Sequence, residues 1–304
     1  MSDFKRQPFR FGGVYSAVWT PADEEGRLLE AELAALLSFF NRTGVRGILA
    51  LGSTGNFARM SPAARREALD RIVGNLGALR LMVNVSALEI PVIHELSRHA
   101  ESRGAEAVTL MPPWFYPLCD DDIVEFYARA AEGLQVPLIV YNFPGLTGKR
   151  ITPELLDRIA MRTPVGGLKQ SGGEFDHHAG MIEVAQRHGF DVLTGWDTRF
   201  DDALRLGVSG CIGGLTNAFP ESLVEISDAY ATGDSVRVES AALRMRQAGQ
   251  WASLMDFPTN IAVAIRSRGF SVGADKGPLS EASRVVEARM LAGLKALVGE
   301  WGMG

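Results

Sequence analysis

Short apolar segments alternate with amphipathic segments along most of this 304-residue chain. Eight of the apolar runs have the length of a β-strand and are bounded by residues that favour turns, such as Gly, Pro, Asn, Asp and Ser. These runs cover residues 12–19, 45–53, 79–86, 105–113, 136–144, 164–171, 190–197 and 208–217.

The segments between the runs mostly predict helices. In the first of them, large apolar side chains recur on one helical face, namely Leu29, Leu33, Leu36, Leu37 and Phe40. Ser61 and Thr152 are each followed by proline, which is typical of a helix N-cap with proline at the first helical position. Three aspartates open residues 120–134, and acidic residues are favourable at the positive end of a helix dipole.

Eight strand–helix units with almost continuously apolar strands indicate parallel strands that are covered on both faces. Eight units close a (β/α)8 TIM barrel of the α/β class, which we expect to occupy residues 1–230. The competing fold is an open doubly wound sheet, but "GGVYSAVWTP" lacks the glycine fingerprint of that fold. After residue 220 the pattern is wholly helical, so residues 231–304 are expected to form a C-terminal helical extension packed on the barrel.

Composition narrows the class of protein. Apolar residues make up 46% of the chain and charged residues 22%, a normal balance for a soluble globular protein. The net charge of −5 and the lack of basic blocks argue against nucleic-acid and membrane partners. The N-terminal residues do not resemble a signal peptide and no apolar run reaches about 18 residues, so a cytoplasmic location is expected.

Cysteines and histidines suggest no metal site. Cys119 and Cys211 lie far apart in the sequence and predict neither a disulfide framework nor a zinc site. The five histidines fall on predicted helices, and His177 and His178 are expected at the surface.

Lys169 is the sharpest candidate for chemistry, because it ends the sixth apolar run, where a barrel of this kind builds its active site. A lysine at a strand end can simply extend its amine into solvent. In an apolar pocket it loses solvation, which favours the neutral amine, a nucleophile toward carbonyl groups. Gly166 and Gly167 remove bulk beneath it and no acid precedes it within four residues, so the sequence predicts Schiff-base formation.

Other strand ends supply further candidates. Tyr141, at the end of the fifth run, is either a core tyrosine or the proton donor and acceptor that an imine on Lys169 requires. In "GSTGN" (52–56), backbone N–H groups and the hydroxyls of Ser53 and Thr54 can hold a carboxylate, although such turns are common. Asp197 is either a helix cap or a ligand-binding residue.

Taken together, these residues resemble the dihydrodipicolinate synthase/N-acetylneuraminate lyase superfamily of class I, pyruvate-handling aldolases. The resemblance covers roughly residues 10–230, and it rests on four motifs in order: "GSTGN", "YNFPGLTG", "GLKQSGG" and "GWDTRFDDALRLGVSGCIGGLTN". It implies that Lys169 forms the Schiff base and that Tyr141 transfers protons. Ser53 and Thr54 would bind the pyruvate carboxylate, and Thr54 would also contact the tyrosine. It further implies a homotetramer and no metal or organic cofactor, only the covalent imine on Lys169.

Departures from the family pattern bear on the substrate. Leu146 stands where synthases of the lysine pathway carry an arginine, so a synthase role is disfavoured. The tyrosine that synthases lend to a neighbouring subunit falls at Phe115, unless Tyr116 replaces it. The motifs are nearest to those of 2-keto-3-deoxygluconate aldolases and sialic-acid lyases.

Three further positions differ from the family. Thr198 replaces the glutamate with which sialic-acid lyases bind the sugar tail, and Gly214 replaces a serine in the motif of the eighth strand. Asn56 stands where the family usually has glutamate.

The leading prediction is a lyase that cleaves or forms a 2-keto-3-deoxy sugar acid from pyruvate and an aldehyde. Four residues would line the site for the rest of the substrate: Ser171, Gly195, Asp197 and Gly214. One alternative is a dehydratase, or a synthase-type condensation of pyruvate, with the same imine. The other is a non-catalytic barrel that binds keto acids, which Phe115 and Asn56 motivate.

Overall fold

The computed structural model describes residues 10–172 and 175–303, and within them eight strands form a closed barrel in sequence order. The strand register shows parallel pairing for β1–β2, β3–β4, β4–β5, β5–β6, β6–β7 and β7–β8. Each predicted apolar run contains one strand, so the (β/α)8 prediction is confirmed. The strands are β1 (Gly13–Ala17), β2 (Gly47–Ala50), β3 (Arg80–Asn84), β4 (Ala107–Leu110), β5 (Leu138–Asn142), β6 (Val165–Gln170), β7 (Asp191–Thr194) and β8 (Gly210–Gly213).

Helices follow every strand, and the predicted helix starts are confirmed. Ser61 Oγ accepts a hydrogen bond from Ala64 N, and Thr152 Oγ1 accepts one from Leu155 N, both at 3.2 Å. The helices are α1 (Glu30–Arg42), α2 (Pro62–Gly74), α3 (Ile90–Ser102), α4 (Asp120–Ala130), α5 (Pro144–Thr147), α6 (Pro153–Arg162), α7 (His178–His188), α8 (Phe200–Leu206), α9 (Pro220–Ala231), α10 (Ser235–Ala252), α11 (Thr259–Ser267) and α12 (Glu281–Glu300).

The chain divides into two compact units. Among the described residues, the first unit contains 10–12, 82–172, 175–196 and 202–211, and the second contains 13–81, 197–201 and 212–303. The division into residues 1–230 and 231–304 stays a prediction. Within the described ranges, no helix combines the length and the apolar character that crossing a bilayer requires.

The first unit holds β4 to β7, whose central side chains are buried. Gly166 is required on β6, because a Cβ atom there would lie 2.3 Å from the Cβ of Pro137. At the amino end of β7, the Asp191 carboxylate accepts a 2.7 Å hydrogen bond from the backbone N–H of Phe11 and pairs with Arg10. These contacts fix the strands that carry Tyr141 and Lys169.

The second unit joins β1 and β2 to the four helices α9 to α12. Trp19, which follows β1, donates from its indole N–H to Val272 O at 2.9 Å and from its backbone N–H to Asn217 Oδ1 at 2.9 Å. Gly293 allows α12 to pack on Trp251, because a Cβ atom there would lie 2.4 Å from the indole ring. The predicted helices beyond the barrel are therefore present.

Candidate active site

Lys169 and Tyr141 lie side by side at the carboxyl ends of two neighbouring strands. The lysine side chain is buried, with 3% of the residue exposed, and Tyr141 is 1% exposed. The Nζ atom of Lys169 lies 4.1 Å from the centre of the Tyr141 ring. No ion pair joins Lys169 to a carboxylate in the part of the chain that the structure describes.

The strand register explains this juxtaposition. Tyr141 on β5 is the register partner of Lys169 on β6. Because side chains alternate along a strand, the next pair, Asn142 and Gln170, points to the other face. There the Asn142 Nδ2 donates to Gln170 Oε1 at 2.8 Å, and Asn142 also exchanges two hydrogen bonds of 3.1 Å with the backbone of Ile151. This amide pair links the ends of β5 and β6. The sequence patterns did not predict it.

Ser171 and Gly195, two of the predicted substrate-binding residues, pack against each other. Gly195 N donates to Gln170 O at 2.7 Å, and Ser171 N donates to Asn142 O at 2.9 Å. A Cβ atom on Gly195 would lie 1.9 Å from the Ser171 Oγ, so only glycine fits there. The "GLKQSGG" motif continues to Gly173, which lies outside the described residues.

The prediction that His178 lies at the surface is wrong. It is 1% exposed, its Nδ1 lies 2.9 Å from Phe175 O, and its Nε2 lies 3.1 Å from Thr194 Oγ1. A carbonyl only accepts, so Nδ1 carries a proton. Thr194 Oγ1 also accepts from Trp196 N at 3.1 Å, so His178 supports the end of β7. Local periodicity could not reveal this role, because the partner of Nε2 lies on a strand 16 residues away.

In the second unit, the "GSTGN" turn follows β2. Thr54 is buried and Ser53 is half-buried. The turn closes through Asn56 N, which donates to Ser53 O at 3.1 Å, and Asn56 adopts a left-handed φ of 59°. Gly55 packs closely against the chain just after β1, because a Cβ atom there would lie 3.2 Å from Val18 O. The turn thus places Ser53 and Thr54 directly after the carboxyl end of β2.

Asp197 is buried and binds the turn after β8. Its carboxylate accepts hydrogen bonds from Gly214 N at 3.2 Å and from the Thr216 hydroxyl at 3.3 Å. Burial raises the pKa of Asp197, and hydrogen bonds from the backbone of Leu215 and Gly214 and from Thr216 oppose the rise. The sequence left open whether Asp197 is a cap or a ligand-binding residue, and it did not indicate this bracing of the strand-eight turn.

Gly214, also a predicted substrate-binding residue, lies near Thr54 in the same unit. A Cβ atom on Gly214 would lie 3.6 Å from the Thr54 Oγ1, and it would also contact Ile261. Thr54 and Gly214 are therefore neighbours.

Two departures from the family pattern face outward. Leu146 on α5 is 47% exposed, and Phe115 is 83% exposed with a φ of 75°. Among the described residues, no group of three or more His, Cys, Asp and Glu side chains has the arrangement that a metal ion requires.

Residues 10–297 match the model of the Dihydrodipicolinate synthetase family, which spans nearly the whole chain. The chain belongs to this family. Its members are pyruvate-dependent class I aldolases and lyases, and this chain is accordingly an enzyme of that superfamily.

Relatives within the family carry different activities in their names. "Putative 2-dehydro-3-deoxy-D-gluconate aldolase YagE" of Escherichia coli is 30% identical over 74% of this chain and 76% of its own. The crystal structure of YagE in complex with pyruvate superposes with a TM-score of 0.88 over 94% of this chain and 98% of that chain, at 26% identity. A 4-hydroxy-tetrahydrodipicolinate synthase of Methanothrix thermoacetophila is 26% identical over 92% of this chain and 95% of its own. Because these relatives are named for different activities, their names do not identify the substrate of this enzyme.

Proposed function

We propose that this enzyme is a class I aldolase that reversibly cleaves a 2-keto-3-deoxy sugar acid into pyruvate and an aldehyde. The observation that carries the proposal is the buried Lys169 Nζ, 4.1 Å from the centre of the Tyr141 ring. A buried amine that a carboxylate does not neutralise, next to a phenol, has the two functions that imine chemistry needs.

The first half of the reaction builds the imine. The neutral Lys169 amine attacks the C2 carbonyl of the keto acid, and Tyr141 supplies the proton that the carbonyl oxygen takes up. Loss of water from the carbinolamine then gives an iminium ion. Its positive nitrogen is an electron sink next to C3.

The second half breaks the carbon–carbon bond. The Tyr141 phenolate removes the proton of the C4 hydroxyl, the C3–C4 bond breaks, and its electron pair moves into the iminium to form an enamine. The aldehyde leaves. Tyr141 returns this hydroxyl proton to C3, and a water molecule, equivalent to the one released when the iminium formed, hydrolyses the resulting iminium. Pyruvate leaves, the Lys169 amine and the Tyr141 phenol are regenerated, and no redox step is needed.

Binding roles follow from the same proposal. Ser53 and Thr54 bind the carboxylate of the pyruvate unit with hydroxyl and backbone N–H groups. The other end of the substrate lies against four residues: Ser171, Gly195, Asp197 and Gly214. In barrels of this kind the ends of several strands contribute to one site, which supports combining these residues. Catalysis without a cofactor, a homotetrameric assembly and a cytoplasmic location belong to the same proposal.

The choice of a sugar acid over a synthase substrate rests on Leu146. An exposed leucine cannot form an ion pair with the carboxylate of a semialdehyde. YagE, named as a putative gluconate-type aldolase, supports the same choice by its similarity. A dehydratase would form the same imine but release water without breaking the C3–C4 bond, so product analysis separates the two reactions.

The test is a screen for pyruvate release across 2-keto-3-deoxy acids, with Lys169→Ala as the blank. We expect release from at least one substrate by the wild type and none by the variant. In parallel, borohydride and pyruvate should add one reduced pyruvate to Lys169, measured by peptide mass. An unmodified Lys169 would falsify the imine mechanism, whereas a trapped adduct without pyruvate release from any substrate would contradict the aldolase assignment alone.

A further inference from the structure

A cavity of about 520 Å³ lies within the second unit, between the loop after β1, the start of α2 and the loop that precedes α12. Its volume falls within the range of roughly 300–1,000 Å³ that is typical of small-molecule sites. The residues that matter are Thr20, Asn56, Arg59 and Lys276, all of which line it. Asn56 belongs to the "GSTGN" motif and Thr20 to the segment "GGVYSAVWTP", and none of the four residues has a role in the proposed reaction.

Two cations of this cavity have no carboxylate partner. Lys276 Nζ donates to Thr20 O at 2.9 Å and lies 5.4 Å from the centre of the Trp19 ring. Neither Lys276 nor Arg59 forms an ion pair within residues 10–172 and 175–303. Burial, and secondly the charge of Arg59, lower the pKa of Lys276 to about 8, as expected for an ammonium group that lacks a counter-charge.

The acidic residues of the cavity do not neutralise these cations. Asp23 and Glu25 pair with Arg27, and Glu30 pairs with Arg71. Asp275, next to Lys276 in sequence, pairs with Arg266 and Arg284. The remaining two, Glu24 and Glu67, are exposed, as Arg59 is, and among the described residues neither forms an ion pair with Lys276 or Arg59. The positive charge of Lys276 and Arg59 is therefore available to a bound molecule.

The buried hydroxyl of Thr20 also supports a bound molecule in this cavity. Thr20 is 3% exposed, and its Oγ1 has no hydrogen-bond partner among the described residues. Leaving a buried hydroxyl unpaired costs about 1–3 kcal/mol, so such groups are rare unless a ligand or water satisfies them. Thr20 is one of the residues that line the cavity.

We propose that this cavity binds a small organic anion, a carboxylate or a phosphate ester, whose charge pairs with Lys276 and Arg59 and whose oxygen bonds the Thr20 hydroxyl. The residue at position 56 does not add a negative charge that would repel an anion from the cavity. Asn56 is neutral and its Nδ2 donates to Thr54 O at 3.3 Å, so it adds no negative charge. The left-handed φ of 59° also suits asparagine. A carboxylate at this position would compete with the anion.

The experiment measures anion binding by isothermal titration, with sulfate, inorganic phosphate and citrate as probes and chloride at equal ionic strength as the baseline. Every titration in the Lys169→Ala background is repeated with Lys276→Met added, because the carboxylate site proposed at Ser53 and Thr54 also takes up anions, and only the binding that Lys276→Met weakens is assigned to this cavity. We expect at least one probe to bind. Stronger binding of citrate indicates a carboxylate ligand, and stronger binding of phosphate indicates a phosphate ester. No binding of any probe overturns the proposal.

Two sets of variants test the residues. Lys276→Met keeps the aliphatic stem against Trp19 and should weaken binding about 10- to 100-fold, the loss expected for a charge-assisted contact. Asn56→Glu should abolish anion binding. Asn56→Gln, whose neutral side chain has the same shape as that of glutamate, should keep it. Equal affinity in Lys276→Met and wild type, or in Asn56→Glu and Asn56→Gln, contradicts the proposal.

Thr20→Val separates binding from folding. Valine has nearly the same shape without the unpaired hydroxyl, so the melting temperature without anion should stay the same or rise. Anion affinity should nevertheless fall about two- to tenfold. Unchanged anion affinity in Thr20→Val would show that the hydroxyl does not contact the anion and would overturn that part of the proposal. Failure of any of these anion-binding tests would leave the imine experiments on Lys169 unaffected.

Discussion

Asn142 donates a 2.8 Å hydrogen bond from its amide to the side-chain oxygen of Gln170, one residue beyond Tyr141 and Lys169 on the same two strands. The amide pair and the candidate catalytic pair therefore share one register. A shift of one residue between β5 and β6 would break the hydrogen bond and separate the amine from the phenol, because a one-residue slip moves each side chain to the opposite face.

We predict that Gln170→Met lowers the free energy of unfolding by about 1 kcal/mol, because it removes the acceptor of the Asn142 amide, while loss of the buried Gln170 Nε2, which has no partner among the described residues, offsets part of the effect. A double-mutant cycle with Asn142→Leu, measured by urea denaturation, should give a coupling energy of about 0.5–3 kcal/mol. Additive losses in the cycle would mean that the two amides do not stabilise each other.

Tyr141→Phe should lower kcat about 100- to 10,000-fold, because it removes the group proposed to transfer protons and keeps the ring. Borohydride trapping with pyruvate should still label Lys169, only more slowly. Circular dichroism and the melting temperature serve as the control for folding. A kcat equal to that of the wild type would remove Tyr141 from the mechanism.

Gly195→Ala should lower the free energy of unfolding by about 1–3 kcal/mol, because the new methyl group would overlap with Ser171. Its Cβ would lie 1.9 Å from Ser171 Oγ and 2.9 Å from Ser171 Cβ. Ser171→Gly, which removes both atoms, should rescue the variant more completely than Ser171→Ala. Equal rescue by both would place the clash at the hydroxyl alone, and no rescue would contradict the predicted contact.

The stability difference between wild type and Asp197→Asn should depend on pH. Burial raises the pKa of Asp197 above its unfolded value, so the folded state favours the protonated carboxyl. This contribution is fully present below the unfolded pKa and is lost as the pH rises through the folded pKa. Urea denaturation between pH 3 and pH 8 should therefore show the variant gaining stability relative to the wild type as the pH rises. A relative gain by the wild type would mean that hydrogen bonding to the charged carboxylate outweighs its burial.

The sequence by itself determined the elements and the main chemical candidates. Eight apolar runs, each long enough for one strand, predicted the barrel because strand periodicity and turn residues are local properties of the chain. The caps at Ser61 and Thr152 followed from the adjacent prolines for the same reason. Lys169 stood out because a cation ended a buried strand without an acid beside it.

Only the tertiary structure decided the contacts between distant segments. His178 is buried where it can bond the hydroxyl of Thr194. Asp197 braces the turn after β8 through Gly214 N. Among the described residues, Lys276 keeps its charge unpaired because the neighbouring Asp275 pairs with Arg266. Local hydrophobic patterns do not encode such pairings, because a polar side chain on a helix or in a loop looks the same whether solvent or a distant residue satisfies it. Packing alone distinguishes the two cases, since a buried polar group must find its partner in the fold.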